Sequence, residues 1–171
     1  LTAILLTATT VANAGKSTTE KYGDMLQILI PLTGYGATFY MHDTQGRNQF
    51  YKSFLATVVI TQGLKFTVNK QRPNGSGNNS FPSGHTSAAF QGAAFIQKRY
   101  GWEYGLPAYV AATFVGYSRV KSKQHYTIDV LAGAAIGTLS SYYFTTTYKG
   151  ITVTPYVENK AAGINLSIQV P

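Results

Sequence analysis

Two of the chain's histidines stand beside residues that could use them for chemistry. In "QHYTID", His125 and Asp129 are four residues apart, so on a helix their side chains share one face. A carboxylate at that position can accept one imidazole N–H and leave the other nitrogen free as a nucleophile or base. The same spacing also fits a purely structural pair, and the motif alone leaves both interpretations open.

The stretch "FPSGH" combines a helix start with the second histidine. Ser83 stands where an N-cap belongs, and Gly84 allows a ligand to approach the backbone closely. The free N–H groups at a helix N-terminus attract anions. His85, directly after the glycine, is placed to act as an acid beside such an anion. His42 lies next to a loop and is expected to be a surface residue.

Three cations fall in the same segments as these histidines. Lys65 and Arg72 belong to "KFTVNKQRP", and Arg119 stands six residues before His125. The planar fork of an arginine can bind two phosphate oxygens at once. Together the cations and the helix start favour a phosphate as the ligand.

The composition also favours an anionic partner. The net charge is +8 although only 12% of the residues are charged, because there are just six acidic side chains. The lysines are scattered and form no basic stripe, which argues against nucleic acid. Cysteine is absent, which excludes disulfides, thiolate zinc sites and cysteine nucleophiles. No obligate protein partner is evident.

Hydrophobic periodicity and turn residues predict an all-α protein, an antiparallel helical bundle over residues 15–148 with a C-terminal β-hairpin over 149–171. The predicted helices are 22–40, 48–68, 83–99, 106–120 and 125–143. Small residues on two of them, including Gly92 and Gly137, predict close packing that would bring the ends carrying His85 and His125 together.

The N-terminal segment "LTAILLTATTVANA" (1–14) has the apolar core and small terminal residues of a secretory signal remnant. No later stretch reaches the roughly 18 apolar residues of a membrane-spanning helix. We therefore expect a periplasmic or otherwise exported protein that is not an integral membrane protein. Its tyrosines would permit peripheral contact with a membrane.

Eleven residues in three segments then identify a family. The pattern Lys65-x6-Arg72-Pro73, Pro82-Ser83-Gly84-His85 and Ser118-Arg119-x5-His125-x3-Asp129 resembles the signature of the type 2 phosphatidic acid phosphatase and vanadium haloperoxidase superfamily. All eleven residues are present and in the right order, and agreement at that many positions is far more specific than a match to one short motif.

The resemblance implies a phosphatase with a phosphohistidine intermediate. His125 would attack phosphorus, Asp129 would orient His125, and His85 would protonate the leaving group and then activate water. The implied phosphate ligands are Lys65, Arg72, Ser83, Gly84 and Arg119. Only Asp129 could join the two histidines as a metal ligand, so we expect no metal and no cofactor, with vanadate or phosphate binding as an inhibitor or product.

Three other functions stay open at this point. A vanadate-dependent haloperoxidase would use the same residues. A serine hydrolase could use Ser83, His125 and Asp129, although "FPSGH" lacks the G-x-S-x-G elbow. A non-catalytic module could bind anions without turnover. The expected substrate is a phosphorylated small molecule or a lipid head group, including lipid phosphates or diphosphates.

Overall fold

The computed structural model describes residues 15–148, 151–158 and 161–168, which form five helices followed by two strands. The predicted signal remnant 1–14 lies outside the described residues. The elements are α1 (Thr18–Tyr40), α2 (Thr44–Val68), α3 (Gly84–Tyr100), α4 (Trp102–Lys121), α5 (Thr127–Phe144), β1 (Ile151–Glu158) and β2 (Ala161–Ile168). The predicted all-α bundle is confirmed, and the two strands pair antiparallel as a hairpin.

Capping side chains set two of the helix starts. The Ser83 hydroxyl accepts from the Thr86 N–H at the start of α3, and an Asp43 carboxylate oxygen accepts from the Gly46 N–H at the start of α2. Helix α4 begins at Trp102, four residues earlier than predicted. Pro107 lies inside α4, and the helix continues through it.

Helix α3 is the centre of the bundle and packs against the other four helices. Its contact with α5 is close because two glycines of α5 face its backbone. A Cβ on Gly133 would lie 2.5 Å from the Ser83 carbonyl oxygen, and one on Gly137 would lie 2.2 Å from that of Ser87. The predicted close packing of these helices is therefore confirmed, and it places the start of α3 beside the start of α5.

A buried ion pair holds the opposite end of the bundle. The guanidinium of Arg99 donates to both carboxylate oxygens of Asp43, at 2.5 and 2.7 Å, and also to the carbonyls of Thr146 and Thr147. The segment after α5 is thereby fastened to α2 and α3. Across the described ranges, no helix combines the length and the apolar character that a membrane crossing requires.

Candidate active site

A cavity of about 300 Å³ lies where the start of α3, the end of α2 and the turn before α5 meet. Five of the eight predicted site residues line it together: His85, His125, Lys65, Arg72 and Gly84. Residues from three separate segments of the chain thus converge on one space, at the N-terminus of a 17-residue helix. An anion there would meet two cations, two imidazoles and free backbone N–H groups.

His125 is buried and its ring is held in one orientation by a backbone group. Its Nδ1 lies 2.6 Å from the carbonyl oxygen of Ser80, so Nδ1 carries the proton and donates it. The electron pair for attack is then on Nε2. Burial lowers the pKa of His125 to about 4, and the charges of Lys65 and Arg72 act in the same direction. The ring is therefore neutral, as a nucleophile must be, at any pH well above 4.

The carboxylate of Asp129 does not form the direct hydrogen bond to His125 that their spacing suggested. Its nearer oxygen lies 3.9 Å from Nδ1, and with the ring neutral this contact is not an ion pair. Asp129 instead accepts hydrogen bonds from Lys70 Nζ at 2.6 Å, Ser80 Oγ at 2.5 Å and the Tyr126 N–H at 3.0 Å. It thus fixes Ser80, whose carbonyl fixes His125, and the expected direct hydrogen bond is replaced by this two-step arrangement.

A carboxylate–imidazole pair is present at the other histidine. Asp24 of α1 places Oδ1 3.1 Å from His85 Nε2 and 2.7 Å from Arg119 Nη1. Its second oxygen accepts from Lys16 Nζ at 2.5 Å. Burial opposes ionisation of Asp24, but the Lys16 hydrogen bond and the Arg119 charge outweigh it and keep the pKa below its usual value. Since the carboxylate holds Nε2, proton exchange with a ligand falls to Nδ1 of His85.

The imidazole of His85 is neutral near pH 7. Burial lowers its pKa to about 4, the positive charges of Arg119 and Lys16 act in the same direction, and Asp24 opposes them. Burial, followed by the charge of Arg72, also lowers the pKa of Lys65, to about 8. These groups disfavour one another's positive charge until an anion arrives between them. A bound phosphate would raise the pKa of each.

Two of the predicted phosphate ligands do not face the cavity. Arg119 is buried and donates to Asp24 Oδ1, to the Glu20 carbonyl and to Ser118 Oγ. Ser83 is fully buried, with its hydroxyl 2.9 Å from that of Thr86. The structure therefore gives Arg119 contact with Asp24, and gives Ser83 the role of a helix cap.

The sequence interpretation missed Asp24, Lys70 and Ser80. Asp24 stands in a polar lead-in with no recognisable motif, and it reaches Arg119 only because Gly23 lets α1 approach α4, where a Cβ would lie 2.0 Å from Ser118 Oγ. Lys70 lies among the six unspecified residues of the first motif. Its position two residues before Arg72 was the only sequence feature that could have indicated a role in the site. Within the described part of the chain, no cluster of three or more acidic or histidine side chains could hold a metal ion.

Two curated proteins resemble the chain over long segments. A lipid A 4'-phosphatase of Helicobacter pylori is 32% identical over 148 residues, which cover 80% of this chain and 74% of that protein. A lipid A 1-phosphatase of Porphyromonas gingivalis is 42% identical over 107 residues, which cover 56% of this chain. The chain spans only 24% of the length of the Porphyromonas protein.

Among solved structures, Aquifex aeolicus LpxE has the same fold, with a TM-score of 0.63 at 21% identity over 77% of this chain and 87% of that one. A transmembrane PAP2-type phosphatidylglycerolphosphate phosphatase of Bacillus subtilis gives a TM-score of 0.47 at 22% identity, over 82% of this chain and 89% of that one.

The expected location, periplasmic or exported and not integral to a membrane, is wrong. Homologous PAP2 phosphatases are transmembrane enzymes. Large apolar side chains such as Leu32, Phe66, Val110 and Leu139 are exposed on four different helices of this chain. The prediction was wrong because it inferred the location from the absence of long uninterrupted apolar runs.

A family model gives the same assignment as the individual relatives. The model of the PAP2 superfamily matches residues 74–152, which contain the "PSGH" segment, His125 and Asp129. The family resemblance seen in the three motifs is confirmed. With the Helicobacter protein matched over most of both lengths, the chain belongs to the PAP2 superfamily.

Proposed function

We propose that this protein is a phosphatase that hydrolyses phosphate monoesters of lipids through a phosphohistidine at His125. The observation that supports this most strongly is the shared cavity, in which a neutral His125 with Nε2 free faces Lys65 and Arg72 at the start of α3. Phosphate ester hydrolysis is also the reaction named for both curated relatives.

In the first step the Nε2 electron pair of His125 forms a bond to phosphorus, and the bond from phosphorus to the ester oxygen breaks. The leaving alkoxide takes a proton from Nδ1 of His85, which acquires that proton when the phosphate binds and raises its pKa. Lys65, Arg72 and the N–H groups of α3 stabilise the charge on the three equatorial oxygens.

In the second step a water molecule replaces the alcohol. His85, now neutral, takes a proton from the water as its oxygen bonds to phosphorus, and the bond from phosphorus to Nε2 breaks. Phosphate leaves and His125 is neutral again. Asp24 and Asp129 are positioning residues in this scheme, Asp24 for His85 and Asp129 for the Ser80 carbonyl that holds His125.

Cations and a helix start take the place that metal ions hold in many phosphatases, so we propose catalysis without a metal or a cofactor. Orthophosphate and vanadate should then compete with substrate for the same cavity. A serine hydrolase gains no support, because Ser83 is fully buried and bonded to Thr86.

Phosphate release from p-nitrophenyl phosphate and from phosphatidic acid, measured with EDTA present, tests the proposal. His125→Asn should lower kcat by about a thousandfold or more, because the covalent route is lost. His42→Asn is the matched control, since His42 is exposed, lies in the loop between α1 and α2, and has a positive φ that asparagine accepts. Equal release by wild type and His125→Asn, or none by wild type, would refute the proposal.

A further inference from the structure

The catalytic cavity borders a second cavity between α1 and α2. This second cavity, of about 340 Å³, shares the side chains of Phe54 and Ala88 with the catalytic one. Its other walls include Ile28 and Leu32 from α1 and Phe50 from α2. We call this second cavity the α1–α2 groove. A molecule bound at His125 would reach it by passing Phe54 and Ala88.

The two neighbouring cavities have opposite chemistry. The lining of the catalytic cavity includes Lys65 and Arg72, whereas the α1–α2 groove has no charged side chain and, apart from Gln27, only aliphatic and aromatic ones. Along α2 the distance from Phe50 to Lys65 corresponds to about 22 Å of helix rise. An occupant must therefore carry an anionic group at one end and a long uncharged apolar part at the other.

Another apolar cavity in the described structure cannot serve the same ligand. It is larger, about 500 Å³, and lies against another side of α1, with Leu29, Ile30 and Tyr104 among its walls. It shares no lining residue with the catalytic cavity. The boundary that it shares with the site, and not apolar character alone, distinguishes the α1–α2 groove.

We infer that the α1–α2 groove binds the hydrocarbon chain of a phosphorylated lipid whose phosphate lies at His125. The inference rests on the proposed function and extends it by assigning the chain-binding subsite. A flexible alkyl chain fits a groove that supplies apolar area and, apart from the Gln27 amide and the Tyr35 hydroxyl, no side-chain hydrogen-bonding group. Ile28 and Leu32 are 59% and 58% exposed, so a hydrocarbon chain in the groove would cover exposed apolar surface.

A series of n-alkyl phosphates with two to eight carbons tests this assignment, because these short chains need no membrane. Each added methylene should raise kcat/KM by up to about fourfold, which corresponds to roughly 0.8 kcal/mol of apolar burial. A value of kcat/KM that does not change with chain length would overturn the assignment while leaving the proposed phosphatase function intact.

Adjacent residues on α1 provide a matched pair of variants. Ile28→Asn places an amide in the α1–α2 groove, whereas Leu29→Asn places the same amide in the larger, unconnected cavity. The ratio of kcat/KM for octyl phosphate to that for ethyl phosphate should fall at least tenfold in Ile28→Asn and stay at the wild-type value in Leu29→Asn. Equal ratios in the two variants would contradict the assignment.

A binding experiment keeps the test independent of turnover. The n-alkylphosphonates of the same lengths have a carbon–phosphorus bond in place of the ester and cannot be hydrolysed. Calorimetric titration gives their Kd for the wild type and for Ala88→Leu. Ala88 lines both cavities, so the larger leucine side chain would fill the boundary between them. Kd should decrease with chain length in the wild type and much less in Ala88→Leu. If the wild type hydrolyses none of the alkyl phosphates, the proposed function fails, but chain-dependent phosphonate binding would still support the groove. Chain-dependent binding that is equal in Ala88→Leu would mean that the chain binds elsewhere, and would refute it.

Discussion

The carboxylate of Asp24 touches His85, Arg119 and Lys16, and Asp24→Asn removes its charge while keeping its shape. In the proposed reaction His85 must carry a proton to donate to the leaving group. A negative charge beside an imidazole favours the protonated form. Loss of that charge should therefore lower the pKa of His85 and reduce the fraction of enzyme that holds the catalytic proton at a given pH.

The expected size follows from the contact distance. Two unit charges 3.1 Å apart interact by about 1.3 kcal/mol in water and by about 5 kcal/mol at the effective dielectric constant near a protein surface. The His85 side chain is 35% exposed and that of Asp24 is 18% exposed, so the lower part of this range applies. An interaction of about 1.4 to 2.8 kcal/mol corresponds to a ten- to hundredfold smaller protonated fraction.

The assay is the pH dependence of kcat for a short phosphate monoester, which reports pKa values in the enzyme–substrate complex, where His85 holds its proton. Its alkaline limb reports deprotonation of the acid, His85, and should move to lower pH in Asp24→Asn. Its acidic limb reports protonation of His125, on which Asp24 does not act, and should stay where it is in the wild type. Glu20→Gln is the matched control, because Glu20 lies one turn away on α1 and its carboxylate contacts Gln124 and not His85.

A second variant predicts a shift of opposite sign. Lys16 lowers the pKa of His85, so Lys16→Met should move the alkaline limb to higher pH. Asp24→Asn deprives the buried Arg119 of its charged partner and could prevent folding. Lys16 is 32% exposed, so Lys16→Met should fold and keeps the prediction testable. Nitrogen-15 NMR titration of the imidazoles measures the corresponding pKa of His85 in the free enzyme, which should shift in the same direction in each variant. An alkaline limb that moves in neither variant would refute the role of Asp24.

Three further predictions concern the supports of the site. Lys70→Met should lower kcat about tenfold or more and also lower the thermal midpoint, because the buried carboxylate of Asp129 loses its nearest cation. An unchanged kcat would contradict the positioning of His125 by Asp129 through Ser80. Arg99→Met should reduce the free energy of unfolding by about 3 to 5 kcal/mol in a denaturant titration, since Asp43 is left buried and unpaired, with activity per folded molecule retained. Gly137→Ala should lower the thermal midpoint by overpacking α3 against α5 at a cost of about 1 to 3 kcal/mol. Gly36→Ala, with nothing within 4 Å, should leave stability unchanged or slightly higher; equal effects of the two glycine changes would contradict the close packing.

Much of the fold could be predicted from local signals in the chain. The caps at Ser83 and Asp43 are side-chain effects within one helical turn, and the loop "QRPNGSGNNS" is recognisable from its glycine and proline content. The small residues facing each other on α3 and α5 were sufficient to place His85 near His125. Such patterns are readable because they depend on neighbours three or four positions apart.

The hydrogen-bond partners of the two histidines could not be read in this way. A four-residue spacing placed Asp129 near His125, yet the acceptor of the imidazole proton is the backbone carbonyl of Ser80, which any residue type would supply. The carboxylate that touches His85 is Asp24, 61 positions away in the sequence. Spacing along a helix shows which side chains can approach each other, but not which of several acceptors a ring will use.

The sequence by itself determined the family, the helical bundle and the presence of His125, His85, Lys65 and Arg72 in one site, because those features rest on residue types and short-range order. Tertiary structure alone decided that Asp24 contacts both His85 and Arg119, and that the groove between α1 and α2 borders the site. These features depend on how closely helices distant in sequence approach each other. At Gly23 the missing side chain lets α1 lie against Ser118 and Arg119 of α4.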